Sequence, residues 1–368
     1  MTLSDPVLRL AADLVAIDSR STLSNIPLAD RIERELAGFE VERLDYTDPA
    51  GVAKRVLVAH KGPKGGHALS GHMDTVPATG WESDPWAPRL DAQGMLHGLG
   101  SVDMKGQVAA AILAARAAPA DVPATLLITA DEETTKQGAA LIAKESRLAG
   151  SLGLKGIVVA EPTSLVPVRG HRSHVAFTAT AHGVQAHSST GKGVNANWKL
   201  LPFLAAMRKV HDELRSNPAL QDTEYDPPFS DFNLVIDNHG TAVNVTVARA
   251  TAAIKFRYSA KVDPAPVLRA VRDAARDAGL DLDERHEGTP PELPADHPLV
   301  ALAARITGRA PRTAPYGTDA SALQALAPCV ILGPGDMAQA HTPREFVRAQ
   351  DLLDAVPLFG RLLAAGAA

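Results

Sequence analysis

Histidines and acidic residues gather where short apolar runs end. The run Gly66–Ser70 leads into His72-Met73-Asp74, and ATLLITA (Ala124–Ala130) leads directly into Asp131-Glu132-Glu133. Ile157–Ala160 leads into Glu161-Pro162, and Cys329–Leu332 leads through GPGD to His341. Asp103, in GLGSVDMKG, stands just before an Ala-rich stretch that begins at Lys105. His72, Asp103, Glu161, His341 and one carboxylate of the Glu132-Glu133 pair form a nitrogen–oxygen donor set suited to Zn²⁺, Co²⁺ or Mn²⁺. That set is too rich in nitrogen for Mg²⁺ or Ca²⁺ and contains no thiolate. It exceeds what one open zinc site needs but suits two ions sharing a carboxylate. Two ions about 3.5–4 Å apart hold one hydroxide between them and polarise a carbonyl. The adjacent pair Glu132-Glu133 then divides: one carboxylate binds metal, and the other takes a proton from the bridging water and passes it to a leaving amine. Asp74, two residues beyond His72, is placed to accept the second imidazole N–H and fix the ring's tautomer.

Each residue alone has a plainer reading. Asp103 suits a helix N-cap; Asp131, Glu132 and Glu133 suit the positive end of a following helix dipole; His72 and His341 suit surface loops, and Glu161 a solvated strand end. Jointly these readings weaken, since chance would have to place an acid or a histidine beyond every core strand.

The elements that must position these residues alternate. Arg55–Ala59, Gly66–Ser70, Ala124–Ala130 and Ile157–Ala160 read as strands, while Lys105–Ala118 and Ala139–Arg147 read as helices and Arg31–Gly38 as the continuation of an amphipathic one. Alternating β and α elements predict an α/β fold, a mostly parallel sheet with helices on both faces. Ligands then collect beyond the carboxyl ends of its strands. After Pro167 the pattern changes. Ser173–Ala181, Phe232–Ile236, Ala250–Tyr258 and Leu280–Arg285 read as strands, with helices at Asn195–Leu214 and Pro264–Ala278. The order β-α-β-β-α-β matches a split βαβ unit. The first pattern resumes with a helix at Leu299–Ile306, a short helix after Asp319 and a strand at Cys329–Leu332. We therefore expect one α/β domain, residues 1–168 and 288–368, interrupted by an inserted α+β domain, residues 169–287.

Composition excludes several classes. With 368 residues, a formal charge of −5, 45% hydrophobic and 21% charged residues, the chain is globular rather than disordered. No basic excess exists to neutralise phosphates, so no nucleic-acid partner is expected. The longest apolar runs, such as Val108–Ala115, fall short of the roughly 18 residues of a membrane span. The first 20 residues carry Asp5, Asp13 and Asp18 and no basic n-region, which reads as no signal peptide. A single cysteine, Cys329, excludes an intrachain disulfide and a cysteine zinc site. These features together predict a cytoplasmic protein.

Longer motifs carry a family resemblance. GHMDTVPA, GLGSVDMKGQ, ADEETTKQGA, VVAEPTSLVPV, GVQAHSSTGKGVNAN, GTDAS and ILGPGDMAQAH closely resemble those of the dinuclear-zinc M20 metallopeptidases. The likeness is to the branch holding acetylornithine deacetylase, acetylcitrulline deacetylase and succinyl-diaminopimelate desuccinylase, and it runs in order from about Gly71 to His341. The resemblance implies a zinc-exopeptidase fold whose inserted, ferredoxin-like domain is a lid and forms a homodimer. It implies that His72, Asp103 and Glu161 hold one ion, that Asp103, Glu133 and His341 hold the other, and that Glu132 is the general base with Asp74 behind His72. His187 resembles a lid histidine that stabilises the tetrahedral oxyanion, from the partner subunit in the family. Arg257 and Asn244 resemble substrate contacts, and Gly317 and Thr318 a loop bordering the site. Lys255-Phe256-Arg257 stands where the family usually has Asp-apolar-Arg, and Leu99 where arginine is common. The implied reaction removes the acyl group of an N-acyl-L-amino acid, first N²-acetyl-L-ornithine in arginine biosynthesis, by attack of a metal-bridging water. N-acetyl-L-citrulline, succinyl-diaminopimelate, other acylamino acids and dipeptides are the alternative substrates.

Two other classes fare worse. Gly98-Leu99-Gly100 is followed by Asp103 where a dinucleotide fingerprint requires glycine, and an anion there repels a pyrophosphate. A non-catalytic metal-binding protein of the same fold predicts a broken catalytic set, yet Glu132 and every ligand are present. His171-x-x-His174 on one strand would face opposite sides and is no metal pair.

Overall fold

The computed structural model describes residues 4–367; positions 1–3 and 368, which the outer domain limits and the start of the expected leaderless segment include, lie outside the described residues. The chain forms two compact units, one of Met1–Gly170, Pro291–Thr313 and Thr318–Ala368, the other of His171–Pro290 and Ala314–Gly317.

The first unit is built on an eight-stranded mixed sheet. Its strands run in the order Glu40–Thr47, Ala53–Lys61, Ala124–Thr129, His67–His72, Gly156–Val159, Cys329–Ile331, Val168–His171 and Arg312–Ala314. The central four are mutually parallel, and antiparallel pairs flank them. Ala124–Thr129, His67–His72, Gly156–Val159 and Cys329–Ile331 are buried at every position, as expected of strands covered on both faces. Their register places the site. His72 pairs with Thr129, Ser70 with Val159, and Val159 with Ile331, so the segments after these strands leave the sheet along one edge.

Helix Lys105–Ala117 packs on this sheet and on helices Pro6–Val15 and Ala349–Ala367. Its run of alanines permits close approach. A Cβ on Gly71 would lie 2.8 Å from Val108 Cγ2 and 3.0 Å from Met104 Cε, so any larger residue before His72 would force those side chains to shift. The helix begins beyond Met104 with no side-chain cap, so Asp103 is not the N-cap that its position allows. Helix Gln137–Glu145 likewise has no acid in its first turn, so the Asp131–Glu133 carboxylates do not serve its dipole.

Some elements differ from expectation. The helix near Arg31 runs over Ile26–Glu33, started by Pro27 and followed by a turn to Gly38 at φ 85°. Strand Glu40–Thr47 is an edge strand with no fully buried residue, and so lacks an apolar signature. A small antiparallel sheet of Phe346–Arg348, Met95–His97 and Arg89–Leu90 has two- and three-residue strands, too short for periodicity to show. It ties the chain after His341 to the chain before Asp103.

The second unit follows the expected β-α-β-β-α-β order, with sheet order Asp231–Asp237, Arg249–Tyr258, Ser173–His182, Asp281–His286. Ser173–His182 alternates in burial along its length, and Val175, Phe177, Ala179 and Ala181 join Phe203, Met207 and Phe256 in one core with the two helices. In helix Ala265–Asp277 the buried Val267, Val271 and Ala275 recur every fourth residue. No described helix is long and apolar enough to cross a membrane.

The C-terminal helix of the first unit docks on a histidine. A Cβ at Gly366 would lie 2.5 Å from His67 N, and His67 Nδ1 donates to the Leu362 carbonyl at 2.8 Å. Burial holds the His67 imidazole below its usual value. Its folded-state pKa is therefore below that of the unfolded chain, about 6.5, and stability should fall as pH drops through that value because the unfolded state binds the extra proton. In chelator, His67→Gln should flatten the decline of the thermal midpoint between about pH 7 and about pH 5; an unchanged slope would show that another group carries it.

Candidate metal centre

His72 ends its strand with its ring already oriented. Nδ1 lies 3.0 Å from the Asp74 main-chain carbonyl, which can only accept, so the ring proton sits there and Nε2 faces the cluster. The Asp74 carboxylate is 3.7 Å from the same nitrogen, so the main-chain oxygen, rather than the expected carboxylate, fixes the tautomer. Nε2 lies 3.0 Å from Asp103 Oδ1 and 3.9 Å from Glu161 Oε1. The other oxygen of Asp103, Oδ2, is 3.3 Å from His341 Nε2, which is 3.1 Å from Glu133 Oε1. Asp103 thus stands between two imidazoles and gives one oxygen to each.

Donor atoms of His72, Asp103 and Glu133 lie within 4.8 Å of one another, as do those of His72, Glu132 and Glu161. Both triads meet the requirement for a shared cation, and they share His72. Asp131 at φ 61° and His341 at φ 59° adopt the left-handed region that non-glycine residues avoid. Each turns the chain sharply next to, or at, a donor. His72, Asp103 and Glu161 are buried, whereas the His341 side chain is 51% exposed and forms the open side.

The electrostatics express crowding of like charges. Burial and the Asp103 charge push the Glu133 carboxyl up to about 7. Burial and Asp103 likewise raise Glu161 well above the usual carboxylate range. Burial opposes the ionisation of Asp103, but its hydrogen bonds to His341 and His72 prevail and hold it well below that range. Hydrogen bonds to Asp103 and Glu133 push the His341 imidazole up to about 11. Divalent cations would balance these crowded charges, and the donor chemistry fits such ions.

Residues behind the donors hold main chain. Asp74 accepts the Glu132 N–H at 3.1 Å through one oxygen, and through the other the Glu133 N–H at 3.2 Å and the Ser21 hydroxyl at 2.8 Å. Glu345 accepts the N–H groups of Val102 at 2.9 Å and Asp103 at 3.1 Å. Lys54 at 2.9 Å and the Tyr46 hydroxyl at 2.8 Å hold Asp131. Lys136 Nζ is 3.1 Å from Glu132 Oε1. Sequence reasoning missed Ser21, Tyr46, Lys54, Lys136 and Glu345. Two carried a signal in spacing: Glu345 follows His341, and Lys136 follows Glu132, by four residues.

The other expected site residues have separate surroundings. In the second unit His187 is exposed and caps the turn Ser188–Thr190; its Nδ1 accepts the Ser189 N–H at 3.3 Å, leaving the ring proton on Nε2. Asn244 is also exposed, and its carbonyl accepts the Ser188 N–H at 3.0 Å. Arg257 pairs with Asp231 at 2.7 Å, and Gly317 is half-buried. Thr318, in the first unit, is buried and accepts the Ala320 N–H at 3.1 Å. His171 ends one strand and His174 is the second residue of the next, where it pairs with Glu287.

The sequence pattern of peptidase family M20/M25/M40 matches residues 68–365. The chain is 32% identical to an acetylornithine deacetylase of Proteus mirabilis (strain HI4320) over 370 residues, 95% of this chain and 92% of that protein. It is also 32% identical to an acetylornithine deacetylase of Myxococcus xanthus over 379 residues, 98% and 97% of the two chains. The M20 family metallo-carboxypeptidase Sso-CP2 from Sulfolobus solfataricus shares the fold, with a TM-score of 0.76 at 16% identity over 99% of each chain.

Metal added to stripped protein should raise the thermal midpoint, with a stabilisation of about 2.7 kcal/mol at a hundredfold excess over Kd. Glu345→Ala, which removes no donor, should weaken metal binding about 10–100-fold in a chelator competition. A midpoint indifferent to metal would count against the site, and parental affinity in the variant against the support assigned to Glu345.

Proposed function

The chain belongs to peptidase family M20/M25/M40 and is a hydrolase; on that premise we propose that it removes the acyl group of an N-acyl-L-amino acid, N²-acetyl-L-ornithine first. The products are a carboxylic acid and a free α-amine. The 32% identity to acetylornithine deacetylases supports the choice of substrate. The observation that carries the reaction type is Asp103, offering one oxygen to each of two imidazoles, with Glu132 beside them.

In this reading His72, Asp103 and Glu161 would hold one ion and Asp103, Glu133 and His341 would hold the other, Zn²⁺ before Co²⁺ or Mn²⁺. When bound, the ions supply Lewis acidity for the amide carbonyl and make water more acidic. Glu132 takes a proton from the attacking water. As the C–N bond breaks, it returns that proton to the amine nitrogen, so one carboxylate serves as base and then acid. Asp74 keeps Glu132 and Glu133 in place through their main-chain N–H groups. We assign to His187 the role of N–H donor to the tetrahedral oxyanion, which its protonated, exposed Nε2 supports. Arg257 and Asn244 are assigned to the substrate carboxylate, for which a guanidinium offers paired hydrogen bonds; Gly317 and Thr318 are assigned to the border of the site. The single cysteine supports a cytoplasmic setting, and the acetylornithine deacetylase relatives support a place in arginine biosynthesis.

We also propose a homodimer through the second unit. Strand Asp231–Asp237 ends its sheet, and no described strand pairs with its outer edge. Leu234, Val235 and Ile236 on that strand are exposed. An apolar, unpaired edge is a template for strand addition.

Glu132→Gln should retain metal yet lose about 100- to 10,000-fold in kcat. The measurement is amine release from N-acetyl-ornithine, N-acetyl-citrulline, N-succinyl-diaminopimelate and dipeptides. No release from any of them by metal-loaded protein would overturn the reading. Val235→Lys should convert a dimer to a folded monomer in sedimentation, and a dimer that tolerates it would move the interface elsewhere.

A further inference from the structure

Lys136 is out of place by ordinary electrostatics. It is only 7% exposed, and its ammonium lies 3.1 Å from Glu132 Oε1 beside residues suited to divalent cations. A buried ammonium is costly unless paired, and near two dications it is repelled, so it does not serve metal affinity. Its main chain is also constrained: φ is 55°, and its N–H donates to the Asp131 carbonyl at 2.6 Å.

The neighbouring carboxylates explain its use. Glu132 and Glu133 are adjacent, and each falls within a donor triad containing His72, so distance alone does not decide which of them ligates. Their contacts do distinguish them. Glu133 Oε1 faces His341, a second donor, whereas Glu132 Oε1 faces Lys136. We propose that Lys136 is a positioning residue: it ties one oxygen of Glu132, keeps that carboxylate out of the metal set, and reserves it for proton transfer. A cation here thus divides labour between two chemically identical neighbours. The inference rests on Glu132 as the proton carrier proposed above.

The test is a double-mutant cycle with Lys136→Met, Lys136→Arg, Glu132→Gln and the Glu132→Gln/Lys136→Met pair. It is read by kcat and KM on an N-acyl amino acid and by Zn²⁺ affinity of stripped protein in chelator competition. Lys136→Met should lower kcat about 10–100-fold, with KM within about twofold, and Lys136→Arg should restore most of it. In the Glu132→Gln background the same change should cost no further kcat. Freed of its partner, Glu132 should ligate, so Lys136→Met should tighten Zn²⁺ binding about tenfold more in the parental background than in Glu132→Gln. Equal tightening in both backgrounds would show that Lys136 acts only as bulk charge, and an unchanged kcat would likewise overturn the proposal. Should the parent protein hydrolyse no N-acyl amino acid, the assigned reaction fails while the zinc cycle alone still decides the role of Lys136. If Lys136→Met does not fold, Lys136→Gln enters the same cycle.

Discussion

Several carboxylates meet in one buried place, and the first unit is arranged around the cost of keeping them there. Glu133 and Glu161 both rise in pKa because burial and the Asp103 charge oppose their ionisation. Asp103 escapes because it has an imidazole on each oxygen. Like charges this close separate, take up protons or share a cation. Separation is prevented by the sheet, since the donors are carried by parallel strands locked in register and by loops tied to them.

The supporting residues share a physical logic. Asp74 and Glu345 are themselves carboxylates, yet each is spent on backbone N–H groups next to a donor rather than on a cation. A carboxylate accepting main-chain hydrogen bonds fixes a loop with little side-chain freedom left. Lys54 and Tyr46 do the same for Asp131, whose left-handed backbone redirects the chain as it leaves the strand. The small sheet of Phe346–Arg348, Met95–His97 and Arg89–Leu90 joins the loop of His341 to the chain that leads into Asp103, the carboxylate His341 faces.

The donors were legible in the sequence because a strand covered on both faces is a continuous apolar run, and the polar residues after it stand out. Ala124–Thr129 and Gly156–Val159 are such runs, and the structure brings Glu133 and Glu161 together with His72 and Asp103 beyond them. The second unit was legible for a related reason: Ser173–His182 alternates cleanly, and Ala265–Asp277 repeats every fourth residue. What stayed hidden depends on partners distant in sequence. Strand Glu40–Thr47 borrows its hydrogen bonds from Ala53–Lys61 and buries nothing fully, and Ser21 reaches Asp74 across 53 residues. The tautomer of His72 is set by a carbonyl, which every residue has and no motif marks.

The split of the first unit along the chain has a consequence in time. Five strands of the large sheet, from Glu40–Thr47 to Gly156–Val159, precede the second unit, as do His72, Asp103 and Glu161. His341 and Glu345 follow it. During synthesis the donors of both triads can gather before the ribosome has made the rest, while the other imidazole of Asp103 arrives last. A chain cut short after the second unit would therefore carry a half-made cluster: enough carboxylates to capture a cation, without the histidine that completes the pair.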